Sequence, residues 1–223
     1  MHLIAHRGFD GQYSANTVAA VNGAAPQADM IELDIQRCGS GELVVAHDSL
    51  IDIGADGTTE VDDLDAAALA KLDAHGGEGI QTLDVVLDAI PEDTGVNLEL
   101  KQEGIVEHAL ESARSTPHYV IVSSFDAEAV RAVNAGDNDG VDLAYVLGLT
   151  PTDDLAVAVT TDCECVHPNA WLCLFTGIVG DAHDAGLAVN AWTVDSRAGA
   201  WALSYREVDG LIASSPHVTG WVN

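Results

Sequence analysis

Cationic side chains are scarce in this sequence, with eight Lys and Arg against 36 Asp and Glu over 223 residues. A net charge of −28 excludes nucleic acid and anionic membrane as partners, because both carry the same sign. No apolar run reaches the roughly 18 residues that a membrane span needs. The opening Met1-His2-Leu3-Ile4-Ala5-His6-Arg7-Gly8 lacks a basic region leading into an apolar stretch. A secretory signal is therefore not expected, and a cytoplasmic location is. Cysteines are few: Cys38, Cys163, Cys165 and Cys173. Their spacing is not that of a zinc knuckle, so buried free thiols are expected rather than a metal site or a disulfide framework.

Hydrophobic residues make up 48% of the chain, enough for a large core. The acidic excess fits adaptation to molar salt, where the Debye length falls to about 3 Å and self-repulsion is screened. An acidic binding surface or calcium storage is the alternative, although no D-x-D-x-D-G loop occurs. With carboxylates this abundant, their number says nothing about a metal site. Only their position does.

Apolar stretches alternate with amphipathic ones along the whole chain. Strands are expected at Leu3–Arg7, Met30–Gln36, Gly95–Lys101, Tyr119–Ser124, Leu143–Leu147, Asp162–His167, Ala188–Thr193 and Gly210–Ala213. Helices are expected at Asn16–Ala25, Leu83–Ala89, Ile105–Arg114, Ala127–Ala135 behind an Asp126 cap, Asp153–Val159, Gly177–Ala185, and Ser196–Tyr205 after Asp195. Gly136 and Gly186 stand where glycines close helices. A further strand, Leu43–His47, follows the second so closely that it should pair antiparallel with it. Eight strands separated by helix-length connections predict an α/β fold, a (β/α)8 TIM barrel, with an open doubly wound sheet as the alternative. No GxGxxG follows a strand, which removes the dinucleotide reading. One domain is expected over residues 1–223, with a polar rim insertion at about residues 48–79 that holds one helical piece near Asp65–Asp73.

In Met30–Gln36 the side chains alternate, so Ile31, Leu33 and Ile35 share one face while Glu32 and Asp34 share the other. On a barrel strand the aliphatic set meets the helices and the two carboxylates point inward. In Gly95–Lys101 the pattern recurs: Val96, Leu98 and Leu100 outward, Asn97, Glu99 and Lys101 inward. Burying like charges together costs several kcal/mol per ion, on the order of the usual desolvation penalty, unless a cation compensates. Glu32, Asp34 and Glu99 thus predict an Mg²⁺ or Ca²⁺ site, with internal Glu99–Lys101 or Arg7–Glu32 ion pairs as the alternative. His6 ends the first strand and His47 the hairpin strand, and imidazoles beside a metal can move protons near neutral pH. The remaining histidines, His2, His75, His108, His118, His167, His183 and His217, are read as structural.

The residues that carry this chemistry match a family pattern. His6-Arg7-Gly8 is similar to an HRG signature, Ser14-Ala15-Asn16-Thr17 to P-E-N-T, Glu32-Leu33-Asp34 to E-x-D, Val45-Ala46-His47-Asp48 to a hairpin H-D, and Asn97-Leu98-Glu99-Leu100-Lys101 to N-I-E-I-K. Ser124-Phe125, Ala191-Trp192-Thr193-Val194 and Val208-Asp209-Gly210-Leu211-Ile212 match later strand ends. In order and over nearly the whole length, the chain resembles the glycerophosphodiester phosphodiesterase family. The resemblance implies metal-dependent hydrolysis of a small-molecule glycerophosphodiester to an alcohol and a glycerol phosphate. It implies Glu32, Asp34 and Glu99 as metal ligands, His6 and His47 as acid and base, Arg7 and Lys101 on the phosphate, and Trp192 lining the pocket. Ala15 departs from the family's Glu and Ala213-Ser214 from its Thr-Asp, which bears on substrate choice. A related lipid phosphodiesterase or phospholipase, and an inactive phosphate-binding barrel, are the rival readings. The acidic, aromatic-free rim favours a small soluble substrate over a lipid.

Overall fold

The structure is a computed structural model that describes residues 1–54, 57–72, 78–148 and 151–220. Asp73 and His75, named above, lie outside the described residues. The strands are β1 (His2–Ala5), β2 (Met30–Arg37), β3 (Leu43–Val45), β4 (Leu50–Asp52), β5 (Thr58–Glu60), β6 (Gly95–Leu100), β7 (Val120–Ser124), β8 (Val141–Leu147), β9 (Cys165–Pro168), β10 (Ala188–Val194) and β11 (Gly210–Ala213). Eight of them run parallel around a ring β1-β2-β6-β7-β8-β9-β10-β11, which closes because β1 pairs with both β2 and β11. The fold is therefore a closed (β/α)8 barrel and not an open sheet. The short β3 pairs antiparallel with the end of β2, Ile35 facing Val45 and Arg37 facing Leu43.

Alternation on the strands decides what packs where. Ile31, Leu33, Ile35, Val96, Leu98 and Leu100 point out of the barrel and join one large core cluster with residues of the covering helices. That cluster includes Val21 and Ala24 of α1 (Val18–Ala24) and Leu83 and Val86 of α3 (Leu83–Leu87). Truncating one such side chain, Leu98→Ala for example, is expected to cost about 2–5 kcal/mol. Inside the barrel, Ile4, Met30, Ile121, Ala144, Cys165 and Ile212 form a separate apolar layer near the strand starts. Above it the interior turns polar.

Helix ends follow local chemistry. Thr17 caps α1 by accepting from Ala20 N, 3.0 Å, and Asp126 caps α5 (Ala127–Ala135) by accepting from Glu128 N, 2.9 Å. Ser196 caps α9 (Arg197–Ser204), its hydroxyl accepting from Gly199 N. Gly186 does adopt a left-handed conformation beyond α8 (Ile178–Asp184), at φ +84°, whereas Gly136 does not need one, at φ −84°. The remaining helices are α2 (Ala66–Leu69), α4 (Val106–Ser115), α6 (Pro151–Thr160) and α7 (Ala170–Phe175). Neither α7 nor the small β4–β5 hairpin in the rim insertion was expected from the sequence. All four cysteines are buried and free.

A repeated tie fastens the strand starts. Asp29 accepts a hydrogen bond from Leu3 N at 2.7 Å, Glu164 from Leu143 N at 2.7 Å, and Asp209 from Val189 N at 2.8 Å. Each carboxylate stands just before one strand and binds the second or third residue of its neighbour. Some of the acidic excess is thus structural.

Candidate active site

The ends of β2 and β6 bring the predicted acids together. Register pairs Asp34 with Glu99 and Glu32 with Asn97, so the inward-facing acids of two adjacent strands meet directly. Glu32, Asp34 and Glu99 each offer an oxygen within 4.8 Å of the others. Glu32 and Asp34 are only 1% exposed. No hydrogen bond reaches Glu32 Oε1 or Asp34 Oδ1 among the described residues, although Lys101 stands beside the latter.

Two cations answer three carboxylates. Arg7 Nε lies 2.9 Å from Asp34 Oδ2, and Lys101 Nζ lies 3.0 Å from Asp34 Oδ1 and also contacts Glu99 Oε1. The Glu99–Lys101 pair anticipated from the sequence therefore forms. Arg7 meets Glu32 through its backbone instead, donating N–H to Oε2 at 2.8 Å. That donation depends on the turn after β1, where Arg7, Gly8 and Phe9 have φ of 50°, 74° and 66°. A run of left-handed residues stores strain that the surrounding packing must hold. Gly8 fits there because a Cβ would sit 2.7 Å from Ala20 Cβ.

The imbalance shows in the acidities. Burial pushes Glu32 well above the usual carboxylate range, and Asp34 and Glu99 push it further. Burial also raises Glu99, where Asp34 outweighs part of the relief from Lys101. Asp34 is buried too, yet Lys101, Arg7 and a hydrogen bond from Asn16 hold it below the usual range. Burial opposes the charge on Lys101, but Asp34 and Glu99 more than offset this and raise it. One carboxylate in the trio lacks a counter-charge. An oxygen-only, buried, partly unpartnered donor set of this kind fits a hard divalent cation.

His6 and His47 each bind a carboxylate through Nδ1. The partner of His6 is Asp10 Oδ2 at 2.9 Å, and that of His47 is Asp48 Oδ1 at 2.7 Å. Burial would raise Asp10, but its hydrogen bond and charge contact with His6 leave it below its ordinary value. With Nδ1 donating to a carboxylate, Nε2 of each ring is the atom left for proton transfer. His47 shares with Arg7, Asn16, Leu50 and Ile51 the lining of a 310 Å³ cleft. On the other side, Lys101 and Phe125 line a 330 Å³ cleft. There Lys101 Nζ lies 5.7 Å from the Phe125 ring centre, and Phe125 meets Trp192 edge-on at 5.2 Å. Trp192 is fixed by donating its indole N–H to His167 O at 2.7 Å.

Three residues at this place were given no role from the sequence, although Asn16 and Phe125 lie in matched motifs. Asn16 has φ 61° and lies before the helix it was assigned to, donating Nδ2–H to Asp34 Oδ2 at 2.9 Å and accepting from Asp34 N. Asp10 and Phe125 are the others. The spacing of Asp10 four residues after His6 was the available signal. A larger cavity, about 860 Å³, opens at the opposite end of the barrel. Barrel enzymes place their chemistry at the strand C-terminal ends, so the smaller clefts beside the acids are the relevant ones.

Residues 6–218 match the sequence pattern of the Glycerophosphoryl diester phosphodiesterase family. A glycerophosphodiester phosphodiesterase from Caldanaerobacter subterraneus subsp. tengcongensis is 31% identical over 96% of this chain and 94% of its own. A phosphodiesterase from Oleispira antarctica, solved with the product sn-glycerol-3-phosphate, superposes with a TM-score of 0.87 at 27% identity over 97% of this chain and 94% of its own. A glycerophosphodiester phosphodiesterase structure from Agrobacterium tumefaciens shares the fold, with a TM-score of 0.85 at 24% identity over the whole of both chains.

Proposed function

The chain belongs to the glycerophosphoryl diester phosphodiesterase family and is a phosphoric diester hydrolase, and from that premise we propose that it splits glycerophosphodiesters into an alcohol and a glycerol phosphate using Mg²⁺ or Ca²⁺. The observation that carries this reading is the buried trio Glu32, Asp34 and Glu99, with a Glu32 oxygen that no described residue satisfies. These three residues would hold the cation, which when bound supplies Lewis-acid stabilisation of charge on a phosphoryl oxygen. Three carboxylates, two cationic side chains and a divalent ion sum to one positive charge, the complement of a phosphodiester monoanion.

Arg7 and Lys101 would bind the phosphate, and their shared grip on Asp34 keeps both at the mouth. His6 and His47 would serve as the acid–base pair. The new P–O bond comes from water, attacking the diester directly or opening a cyclic phosphate first made by an adjacent substrate hydroxyl, and the attacking oxygen's proton passes to one Nε2. The P–O bond to the alcohol breaks, and the leaving oxygen takes a proton from the other imidazole. Asp10 and Asp48 hold the rings for that exchange. The edge-to-face corner of Phe125 and Trp192 offers an apolar wall for the carbons of the glycerol or the alcohol. Likeness to the Oleispira antarctica enzyme, whose product is sn-glycerol-3-phosphate, supports glycerol phosphate as the shared product. No helix among the described residues is long and apolar enough to cross a membrane.

The test is a coupled glycerol-phosphate assay in molar salt over a panel of glycerophosphodiesters, with and without chelator. Turnover that chelator abolishes and Mg²⁺ or Ca²⁺ restores is expected. Full activity in chelator would remove the metal from the mechanism, and binding without turnover would make the chain a phosphate-binding barrel.

A further inference from the structure

We propose that the outer face of α7 and α9 is a homodimer interface. Trp171 and Phe175 stand four residues apart on α7, and Trp201 and Tyr205 four apart on α9, so each pair shares one helix face. Tyr205 directly follows the last turn of its helix. All four point to solvent, at 69%, 71%, 53% and 70% exposure. Within each pair the rings already touch, stacked at 5.3 Å on α7 and edge-on at 4.7 Å on α9. The two helices pack against each other. Arg206 ties them, donating Nε–H to Cys173 O at 2.9 Å and a second N–H to Thr176 O.

Area and charge together choose the occupant. Aromatic side chains bury 150–250 Å² each, so four rings at this exposure offer roughly 500 Å² of apolar surface. The largest apolar patch of a monomer is about 300–600 Å² and often functional, and the rings supply over half of the about 800 Å² that one side of a stable interface buries. Residues 169–177 and 195–207 carry Asp195 and Glu207 against Arg197 and Arg206, and are neutral in a chain of net charge −28. Two copies of so acidic a molecule repel each other, and a neutral face removes that repulsion at the contact. A basic partner would gain more from the acidic remainder of the surface. An anionic lipid surface would be repelled by the whole. An isologous twofold pairing sets the aromatic face against itself, and none of the four rings belongs to the acidic trio or its clefts.

Sedimentation equilibrium in molar NaCl at about 10 μM protein is expected to give twice the 23.2 kDa chain mass. Trp201→Ser/Tyr205→Ser should sediment at the single-chain mass with an unchanged far-ultraviolet circular dichroism spectrum. A second readout needs no variant: diluting the wild type about a hundredfold should shift tryptophan emission to the red as Trp171 and Trp201 return to water. A wild type that is monomeric at 10 μM, on that same order, overturns the proposal. So does a variant that stays dimeric, or emission that ignores dilution. Co-sedimentation of wild type, but not variant, with vesicles of phosphatidylcholine and phosphatidylglycerol would also overturn it and assign the face to lipid.

Discussion

The two mouths of the barrel use the same side chains to opposite ends. At the strand starts, Asp29, Glu164 and Asp209 are partly exposed and each accepts a backbone N–H from a neighbouring strand. The fold itself satisfies them. At the strand ends, Glu32 and Asp34 are 1% exposed and crowd Glu99; Arg7 and Lys101 answer Asp34, and a Glu32 oxygen has no hydrogen-bond partner among the described residues. Acids at the first mouth strengthen the barrel. At the second, the buried charge of Glu32 opposes the fold. In a protein with 36 acidic residues, the signature of a site is therefore an unmet need rather than an abundance.

The sharpest way to break this contrast is to neutralise one acid at each mouth. Asp34→Asn or Glu32→Gln should lower kcat/KM by about a thousandfold, roughly 4 kcal/mol of transition-state stabilisation. Metal-free Glu32→Gln should also melt no lower than wild type, because a buried like charge is gone. If Asp29→Asn or Asp209→Asn depresses turnover as severely, the division between mouths is wrong. Next in size is the lysine pair: Lys101→Ala should reduce kcat/KM by about a hundredfold, or some 3 kcal/mol, and Lys71→Ala, exposed on the rim, should leave it alone. Equal losses would sever Lys101 from the phosphate.

Cation binding should appear in stability as well as in rate. At a hundred times its dissociation constant, Mg²⁺ or Ca²⁺ should add about 2.7 kcal/mol to the wild type and nothing to Asp34→Asn, as read by thermal melts with and without chelator. Between the mouths lies His167, fully buried, with burial pulling its pKa down to about 3. The unfolded chain binds that proton near pH 6.5, so stability is complete above pH 6.5 and falls as pH drops from there towards 3. The slope is at most about 1.4 kcal/mol per pH unit. His167→Gln should flatten this limb relative to wild type in denaturant titrations, and an identical slope in both proteins would contradict the assignment. Smallest is the loss from removing one strand-start tie: Asp29→Asn should cost about 1 kcal/mol in the same titration and change turnover by less than about twofold.

What could be read from the sequence followed from periodicity. Strand alternation placed Glu32 and Asp34 on the inner face and their aliphatic neighbours outside, because a period of two leaves no other choice once the strand is recognised. The eightfold βα rhythm led to the barrel for the same reason. Elements shorter than one period escaped. The three-residue strands Leu50–Asp52 and Thr58–Glu60 are held by pairing to each other within a polar segment. The six-residue α7 shows too few turns to declare a face. Asn16 escaped for a different reason: it was read as the first helical residue, but its partner Asp34 is eighteen positions away and comes near only when β2 folds against the first turn. Asp10 and Phe125 likewise gain their meaning from neighbours that only the closed barrel supplies.

The missing side chain at position 8 reaches further than its own turn. Any substituent there would press on Ala20 and the backbone of Val21, levering α1 off the barrel wall. Thr17 and Asn16 sit at the root of that helix, so the displacement would arrive at Asp34 as a lost amide contact. A single methyl group added at this buried turn would thus disarm the acids by pulling away their support.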